Sequence, residues 1–221
     1  MLDSLHTAGQ AVVAFAGLAA YHARMNDSWT HQTERYRYAT RDDLPAFAEL
    51  LADPEVGRWL WFTPLPEGGL EGFFGPFLDK QAKELAAGER PLTAIFSVEN
   101  LEGEFLGQGG VVGIDMSPRG YEIGFQLMRR AWGRGVGWRL GQFLCAYALV
   151  HGDAYRIQGG CLEGNTGSIS LLQKLGLQLE GTMPGFRLKG EDRHTELCFG
   201  NLAEHLDTAA IRQVAKATHL S

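Results

Sequence analysis

Cysteine is scarce in this sequence. Three cysteines occur in 221 residues, and none belongs to a Cys-x-x-Cys pair. Cys145, Cys161 and Cys198 are widely spaced and odd in number, which excludes a disulfide framework and a zinc site. Such cysteines are typical of buried thiols in a reducing compartment, so we expect a cytoplasmic protein without a bound metal.

Long apolar runs are also missing. The N-terminal run from Ala11 to Tyr21 contains 11 residues, whereas a membrane-spanning helix needs about 20. Asp3 stands where a secretory signal carries a basic residue. We therefore predict an extra helix in residues 1–32, packed either on the domain or on a second subunit, which leaves a homodimer open. Met25 is an alternative start that would make residues 1–24 dispensable.

Basic residues are too few to favour a nucleic-acid partner. Lys and Arg number 20 against 26 Asp and Glu, which gives a formal net charge of -6. Nucleic-acid binding depends on clusters of basic side chains that release counterions from phosphates. An acidic surface instead suits a cationic amine substrate. We expect neither a nucleic acid nor a membrane as a partner.

Glycine, by contrast, is abundant. The 29 glycines are about twice the usual share, and glycine is selected where the backbone turns tightly or approaches a ligand. The rest of the composition, with 45% hydrophobic and 21% charged residues, is that of one globular domain.

Periodicity and turn residues predict a mixed α/β chain with an antiparallel meander. The predicted strands are Glu34 to Tyr38, Leu92 to Val98, Glu104 to Ile114, Tyr121 to Leu127, Tyr155 to Glu163, Gln178 to Lys189 and Arg193 to Leu202. The predicted helices run from about Thr40 to Asp53, Phe77 to Ala87, Val136 to Val150, Thr166 to Leu175 and Ala203 to Ala217, with a loop from Thr63 to Pro76.

One glycine cluster has the layout of an anion-binding site. A strand over Tyr121 to Leu127 runs through Met128 to Gly137 directly into a long helix. Glycines leave amide N–H groups uncovered, and the start of a helix adds unpaired donors and a positive dipole end. The P-loop is excluded because no Gly-Lys-Ser/Thr follows. The dinucleotide fingerprint is excluded because an antiparallel strand precedes the loop.

Several blocks in this region resemble a known family. Arg130-x-x-Gly133-x-Gly135 is similar to the coenzyme A signature of the GCN5-related N-acetyltransferase (GNAT) superfamily. Further blocks resemble its ribosomal-protein-alanine acetyltransferase branch in the same order and spacing, from about Thr33 to Leu202. They are Thr33 to Arg35, Glu122 to Phe125, Asn165 to Ile169 and Lys174 to Leu177.

The resemblance implies a fold and a domain organisation. We expect an α/β (α+β) domain whose central, mostly antiparallel, twisted sheet is flanked by helices. The sheet splits in a V between the strand of Glu122 and the strand of Tyr155, and acetyl-CoA enters the gap. The domain covers residues 33–202, after an N-terminal extension in 1–32 that is helical, and a C-terminal helix follows in 203–221.

The resemblance also implies site roles. Phe125 N–H is the expected oxyanion donor, and Glu122 is the expected base, acting through water. A salt-bridged strand-end carboxylate is the alternative for Glu122, and a helix N-cap is the alternative for Asn165. The residues expected to hold acetyl-CoA are Leu127, Arg130, Gly133, Arg134, Gly135, Val136, Gly137, Asn165 and Ser168.

The proton donor to the leaving thiolate is less defined. Leu172 stands where many family members carry a tyrosine acid, so the Ser168 hydroxyl or a water takes this role, and capping is the alternative for Ser168. His194 is an alternative base. Aromatic residues around the Pro/Gly loop shape either an acceptor pocket or ordinary core. They are Trp59, Trp61, Phe62, Phe73, Phe74 and Phe77.

The function implied by the resemblance is acetyl-CoA-dependent N-acetylation of a primary amine by direct attack. The acceptor is a protein N-terminus or a small molecule, and no residue identifies it. A coenzyme-A-binding module without catalysis, acting as a sensor or structural partner, is the rival, and Leu172 is its main support. A longer acyl donor is a third alternative.

Overall fold

The computed structural model describes residues 27–220, which form eight strands and six α-helices. The strands are β1 Ser28–His31, β2 Glu34–Tyr38, β3 Ala94–Asn100, β4 Phe105–Gly113, β5 Gly120–Leu127, β6 Arg156–Leu162, β7 Gln178–Lys189 and β8 Asp192–Leu202. The helices are α1 Leu44–Ala52, α2 Pro54–Gly57, α3 Gly69–Ala86, α4 Val136–His151, α5 Thr166–Lys174 and α6 Thr208–Ala217. The predicted alternation of strands and helices is therefore confirmed.

The strands form one open sheet in the order β1-β2-β3-β4-β5-β6-β8-β7. Neighbouring strands are antiparallel except β5 and β6, which are parallel. That parallel pairing has only three rungs and ends where Glu122 meets Gln158, although both strands continue. The two strands thus separate beyond Glu122, and the predicted split in a mostly antiparallel sheet is confirmed.

The main core lies between the sheet and α4. Side chains at three- and four-residue steps along α4 are fully buried, including Leu140, Phe143 and Tyr147. They meet Tyr121 and Ile123, which project from one face of β5 because side chains alternate along a strand. Glu122 is exposed, as its position on the opposite face requires. The orientation of β5 thus puts an acidic side chain on the face away from α4.

Helix α3 begins earlier than the sequence predicted. It starts at Gly69, so the segment assigned to a loop as far as Pro76 is partly helical, with Pro76 inside the helix. Phe74, Leu78 and Gln81 form its buried face. The Gln81 amide donates to the carbonyl of Ala39 at 2.8 Å and accepts from the N–H of Ile95 at 2.8 Å. Burial and these bonds outweigh the helix-breaking tendency of Pro and Gly.

The N-terminal extension was predicted to be helical, and this is wrong at Ser28–His31. These residues form β1, which pairs with β2 and buries Trp29 to 1% exposure. Alternation over four residues is a weak sequence signal for a strand. Contact with the core therefore determines the structure of this segment. The apolar run from Ala11 to Tyr21 and the alternative start at Met25 lie outside the described residues.

The C-terminal segment contains a short 3-10 turn, Ala203–His205, followed by α6. Leu206, Ile211 and Val214 are buried in the main core, as their helical spacing predicted. Within the described part of the chain, no helix combines the length and apolar character that crossing a membrane requires. The domain boundaries at 33 and 202 stay predictions.

Candidate active site

The glycine loop joins β5 to α4 through two residues in the left-handed region. Gly133 has φ 69° and Gly135 has φ 77°, and Gly135 is the N-cap of α4. Glycine has no side chain to cap a helix, and the N–H groups of a first turn have no partner within the helix. The donors of Val136, Gly137 and Trp138 therefore present a positive end to an anion.

A cavity of about 620 Å³ opens beside this loop. Its walls come from the end of β5, the glycine loop, the first turns of α4 and α5, and the segment that follows α1. Seven of the predicted site residues line it: Phe125, Leu127, Gly133, Gly135, Gly137, Asn165 and Ser168. The structure thus brings two blocks separated by about 30 residues of sequence to one cleft, at the point where β5 and β6 diverge.

The other predicted cofactor residues lie beside the cavity. The Arg130 guanidinium donates to the carbonyl of Phe105 at 2.6 Å and pairs with Glu104 at 2.7 Å, so it is engaged by β4. Arg134 and Val136 line a second cavity of about 240 Å³. The arginines of the loop therefore contribute charge near the site, while backbone N–H groups are the donors that face the main cavity.

Asn165 and Ser168 meet at the start of α5. The Asn165 side chain accepts a hydrogen bond from the Ser168 N–H at 3.2 Å, so Asn165 is the N-cap of the helix. Both residues also line the cavity, so capping leaves the rest of the Asn165 amide free for a ligand. Burial raises the pKa of the neighbouring Cys161 thiol, and a hydrogen bond with Ser168 opposes that shift. Leu172 is buried in the main core.

Glu122 lies at the last rung before the sheet divides. Its carboxylate accepts a hydrogen bond from the Gln158 amide at 3.0 Å. Among residues 27–220 no cationic side chain comes within 4.0 Å of it, so the predicted alternative of a salt-bridged carboxylate does not describe this structure. The Cys198 thiol is nearby, since burial and then the Glu196 and Glu122 charges raise its pKa.

The region that contains this cavity matches a known protein family. The family model described as an acetyltransferase (GNAT) domain matches residues 35–178, which is more than half of the chain. The chain belongs to the GNAT acetyltransferase family. The β5 strand, the glycine loop and α5 of this GNAT domain all lie within the matched region.

Relatives of this GNAT chain are distant. The chain is 28% identical over 156 residues to a Bacillus licheniformis protein named uncharacterized N-acetyltransferase p20, covering 70% of this chain and 85% of the relative. Mycobacterium smegmatis RimJ in complex with CoA-disulfide has a TM-score of 0.67 at 20% identity, covering 83% of this chain and 88% of RimJ. Spermidine N-acetyltransferase from Vibrio cholerae, in complex with CoA and spermine, has a TM-score of 0.65 at 15% identity, covering 79% and 98%. At such identities these structures establish a shared fold.

The GNAT cavity also contains residues that sequence reasoning missed. Trp132 donates its indole N–H to the carbonyl of Leu127 at 2.9 Å, which fixes its ring beside the loop. Lys174 lies over the Trp138 ring at 4.6 Å. Trp132 and Trp138 gave a weak sequence signal, because tryptophan is also a common residue of buried cores. Further lining residues are Glu55, Val56, Arg58, Leu60, Gln126 and Leu171.

The aromatic residues assigned to an acceptor pocket or to the core divide between the two. Trp59 lines the cavity. Phe74 is buried against Phe47, with ring centroids 5.2 Å apart. The rings of Phe62 and Phe73 stack with their centroids 5.0 Å apart. Phe62 and Phe77 are partly buried against the cluster that contains Phe74. Trp61 remains 40% exposed. Most of these aromatic residues therefore pack against other residues and do not line the cavity.

His194, the alternative base, lies opposite Arg187 in the β7–β8 hairpin and does not line the main cavity. Residues 27–220 contain no group of three His, Cys, Asp or Glu side chains arranged to hold a metal ion.

Proposed function

We propose that this GNAT protein transfers an acetyl group from acetyl-CoA to a primary amine by direct attack. The observation that carries the proposal is the single cavity that joins the glycine loop and the N-terminus of α4 to Phe125, Asn165 and Ser168. Its volume of about 620 Å³ is in the range of cofactor sites. We take acetyl-CoA as the donor because two blocks that resemble this family, the glycine loop and the block at Asn165, both line the cavity.

The coenzyme is placed by backbone groups. The pyrophosphate takes the N–H donors at the start of α4, where charge and dipole favour an anion. The pantetheine arm lies along the part of β5 that no longer pairs with β6, and Phe125 N–H donates to the thioester oxygen as negative charge develops there. The Asn165 amide hydrogen-bonds the arm from the opposite wall.

Glu122 accepts the proton of the attacking amine through a water. An amine must be neutral to attack a carbonyl carbon, and a carboxylate near the reacting centre removes its proton. The partner of Glu122 is the neutral Gln158 amide, which leaves the negative charge of Glu122 uncancelled. After attack, the tetrahedral intermediate collapses, the C–S bond breaks, and the thiolate takes a proton from the Ser168 hydroxyl or a water.

The acceptor is a protein N-terminus or a small-molecule amine. The blocks from Asn165 to Ile169 and from Lys174 to Leu177 support the ribosomal-protein-alanine acetyltransferase branch, and RimJ shares the fold. The overall negative charge supports a cationic acceptor. We further propose a cytoplasmic enzyme that uses no metal and no nucleic-acid or membrane partner. A homodimer through residues 1–32 stays a prediction.

A catalytically inactive coenzyme-A-binding module is the second candidate. One observation favours it: Leu172, at the position of the common tyrosine acid, is 2% exposed and packed in the core. A protein of this type binds the coenzyme in the same cavity without turnover.

Thiol release from acetyl-CoA separates the two candidates. The acceptor panel contains peptides that begin with Ala or Ser, polyamines and aminoglycosides, and longer acyl-CoA donors test the acyl group. Turnover with one acceptor class supports the enzyme. Tight coenzyme binding without turnover, unchanged in Glu122→Gln, supports the inactive module. No thermal shift with coenzyme A contradicts both.

A further inference from the structure

The segment from Asp53 to Thr63, here called the strap, contains α2 and forms one wall of the main cavity. Five of its side chains line the main cavity: Glu55, Val56, Arg58, Trp59 and Leu60. The Trp59 ring lies 3.9 Å from the position that a Cβ would take on Gly164, which precedes Asn165. The strap is thus the wall that faces the α5 side of the cleft.

One end of the strap is fixed to the β5 side of the split. The Asp53 carboxylate accepts a hydrogen bond from Arg129 at 2.6 Å, and Arg129 opens the short turn that follows β5. Val56 packs in one buried cluster with Met128 and Leu50. An ion pair and a small apolar cluster therefore hold this end.

The middle of the strap at Gly57 and its second end at Thr63 are fixed to the β7–β8 hairpin, on the far side of the split. The Lys189 ammonium donates to the carbonyl of Gly57 at 2.5 Å and to the Thr63 hydroxyl at 3.4 Å. The Arg187 guanidinium covers the Trp61 ring at 4.8 Å and pairs with Glu196 at 2.6 Å. Two side chains of β7, Arg187 and Lys189, therefore contact the strap from the hairpin.

The two halves of the sheet, β1 to β5 and β6 to β8, meet at β5 and β6. These two strands share only three paired positions. The strap is a further link between the halves, beside the cavity, in addition to the shared core under α4. Movement of a wall segment commonly sets the rate at which a ligand leaves a cleft, so contacts that fix this wall can slow release.

We propose that Lys189 is a positioning residue that holds the strap over the coenzyme and so slows coenzyme release. The inference rests on the proposed function, since it takes coenzyme A as the occupant of the cavity. Lys189 lies on β7 and does not line the cavity, so it acts through Gly57 and Thr63 rather than by touching the coenzyme.

Lys189→Met tests this proposal in the full-length protein. Methionine keeps an unbranched side chain and removes both donated hydrogen bonds. We expect coenzyme A to dissociate about tenfold faster, as for the loss of one charge-assisted hydrogen bond. The rate is measured by stopped-flow displacement of a fluorescent coenzyme A analogue with excess coenzyme A. Lys189→Arg, which keeps donors, restores most of the wild-type rate.

Lys216→Met is the matched control, because Lys216 is exposed on α6 and undergoes the same chemical change. It releases coenzyme A at the wild-type rate. Hydrogen exchange adds a second readout: amides of the strap from Val56 to Leu60 lose protection in Lys189→Met and keep it in Lys216→Met, while both variants keep the wild-type Tm.

The outcomes separate the two proposals. Equal dissociation rates in the wild type and a folded Lys189→Met overturn the role of the strap and leave the proposed function standing. If the wild type binds no coenzyme A, the proposed function fails and takes this inference with it. If Lys189→Met unfolds, Lys189→Gln replaces it; its amide retains one donor contact, so an intermediate rate supports the proposal and a wild-type rate refutes it.

Discussion

Gly135 shows how one residue can serve both the fold and the ligand. Its φ of 77° lies in the left-handed region, and an added Cβ would meet the Arg139 guanidinium at 2.8 Å. Gly135→Ala is expected to lower stability by about 1–2 kcal/mol and to weaken coenzyme A binding at least about tenfold. Calorimetric titration of coenzyme A and urea unfolding measure the two effects.

Gly68 offers a control with the same backbone strain, because it is also a left-handed glycine at the start of a helix. Its φ is 71°, nothing lies within 4 Å of the added Cβ, and it does not line the main cavity. Gly68→Ala should lose comparable stability and bind coenzyme A normally. If both variants bind equally well, the glycine loop does not contact the coenzyme.

Glu122 carries the clearest catalytic prediction. Glu122→Gln keeps the hydrogen bond with Gln158 within reach but removes the base, so kcat at neutral pH should fall about 100-fold. Coenzyme A affinity should stay unchanged. Initial rates of thiol release over a pH series measure the effect, with Glu191→Gln in the exposed hairpin turn as the control.

An unchanged kcat in Glu122→Gln would assign Glu122 a structural role as the partner of Gln158. A fall in kcat together with a large loss of coenzyme affinity would indicate a disturbed strand rather than a missing base. The residue types at this site were readable from sequence, but the amide partner of Glu122 was not, because it comes from a strand 36 residues away.

At the scale of the element, the C-terminal end of α4 contains a partly buried histidine, His151. Burial first, and then the Arg90 charge, lower the pKa of His151 from 6.5 to about 4. Arg90 lies 3.3 Å from His151 Nε2, and the Tyr147 ring packs at 4.8 Å. These effects outweigh the attraction of a helix C-terminus for a cation.

The lowered pKa predicts an acid-sensitive helix end. The unfolded chain binds a proton near pH 6.5, but the folded protein does so only near pH 4, so stability is present above pH 6.5 and is lost progressively as pH falls toward 4. The loss of stability is measured by thermal unfolding at about pH 7.5 and about pH 5, on either side of the unfolded histidine pKa of about 6.5. His151→Gln should show a smaller loss of Tm; an equal loss would place the sensitivity elsewhere.

Element boundaries were predicted closely where the sequence signal is local and missed where it depends on distant residues. β2, α5 and the β7–β8 hairpin were predicted closely, since alternation, an N-cap and turn glycines are local signals. The start of α3 was missed because Phe74, in the unpredicted turns, is buried against Phe47, which is distant in sequence. Propensity at Pro76 pointed the other way.

At the scale of the whole molecule, β1 contributes more than its length indicates. Trp29 is 1% exposed, and its ring lies 5.1 Å from Tyr38, 5.8 Å from Phe96 and 5.4 Å from Phe143. One side chain of the edge strand thus joins β2, β3 and α4 in the core. Ser28–His31, at the end of the predicted extension, therefore contributes to the core through Trp29.

Trp29→Ala should destabilise the protein by about 3–5 kcal/mol, because it removes a large buried ring. Urea unfolding followed by circular dichroism measures the change. Leu101→Ala, in a turn where Leu101 is 56% exposed, should cost less than about 0.5 kcal/mol. A loss of unfolding free energy in Trp29→Ala as small as that in Leu101→Ala would show that β1 is not part of the cooperative folding unit.

The sequence by itself determined the alternating strands, the amphipathic α4, the glycine loop and the N-cap at Asn165. Each of these depends on neighbouring residues, whose φ and ψ preferences and periodicity are fixed locally. Only the tertiary structure decided that Trp29 fills the core, that Arg130 turns to β4, and that Lys189 reaches Gly57 across 132 residues. Such contacts depend on how the halves of the split sheet pack, and no local pattern encodes that arrangement.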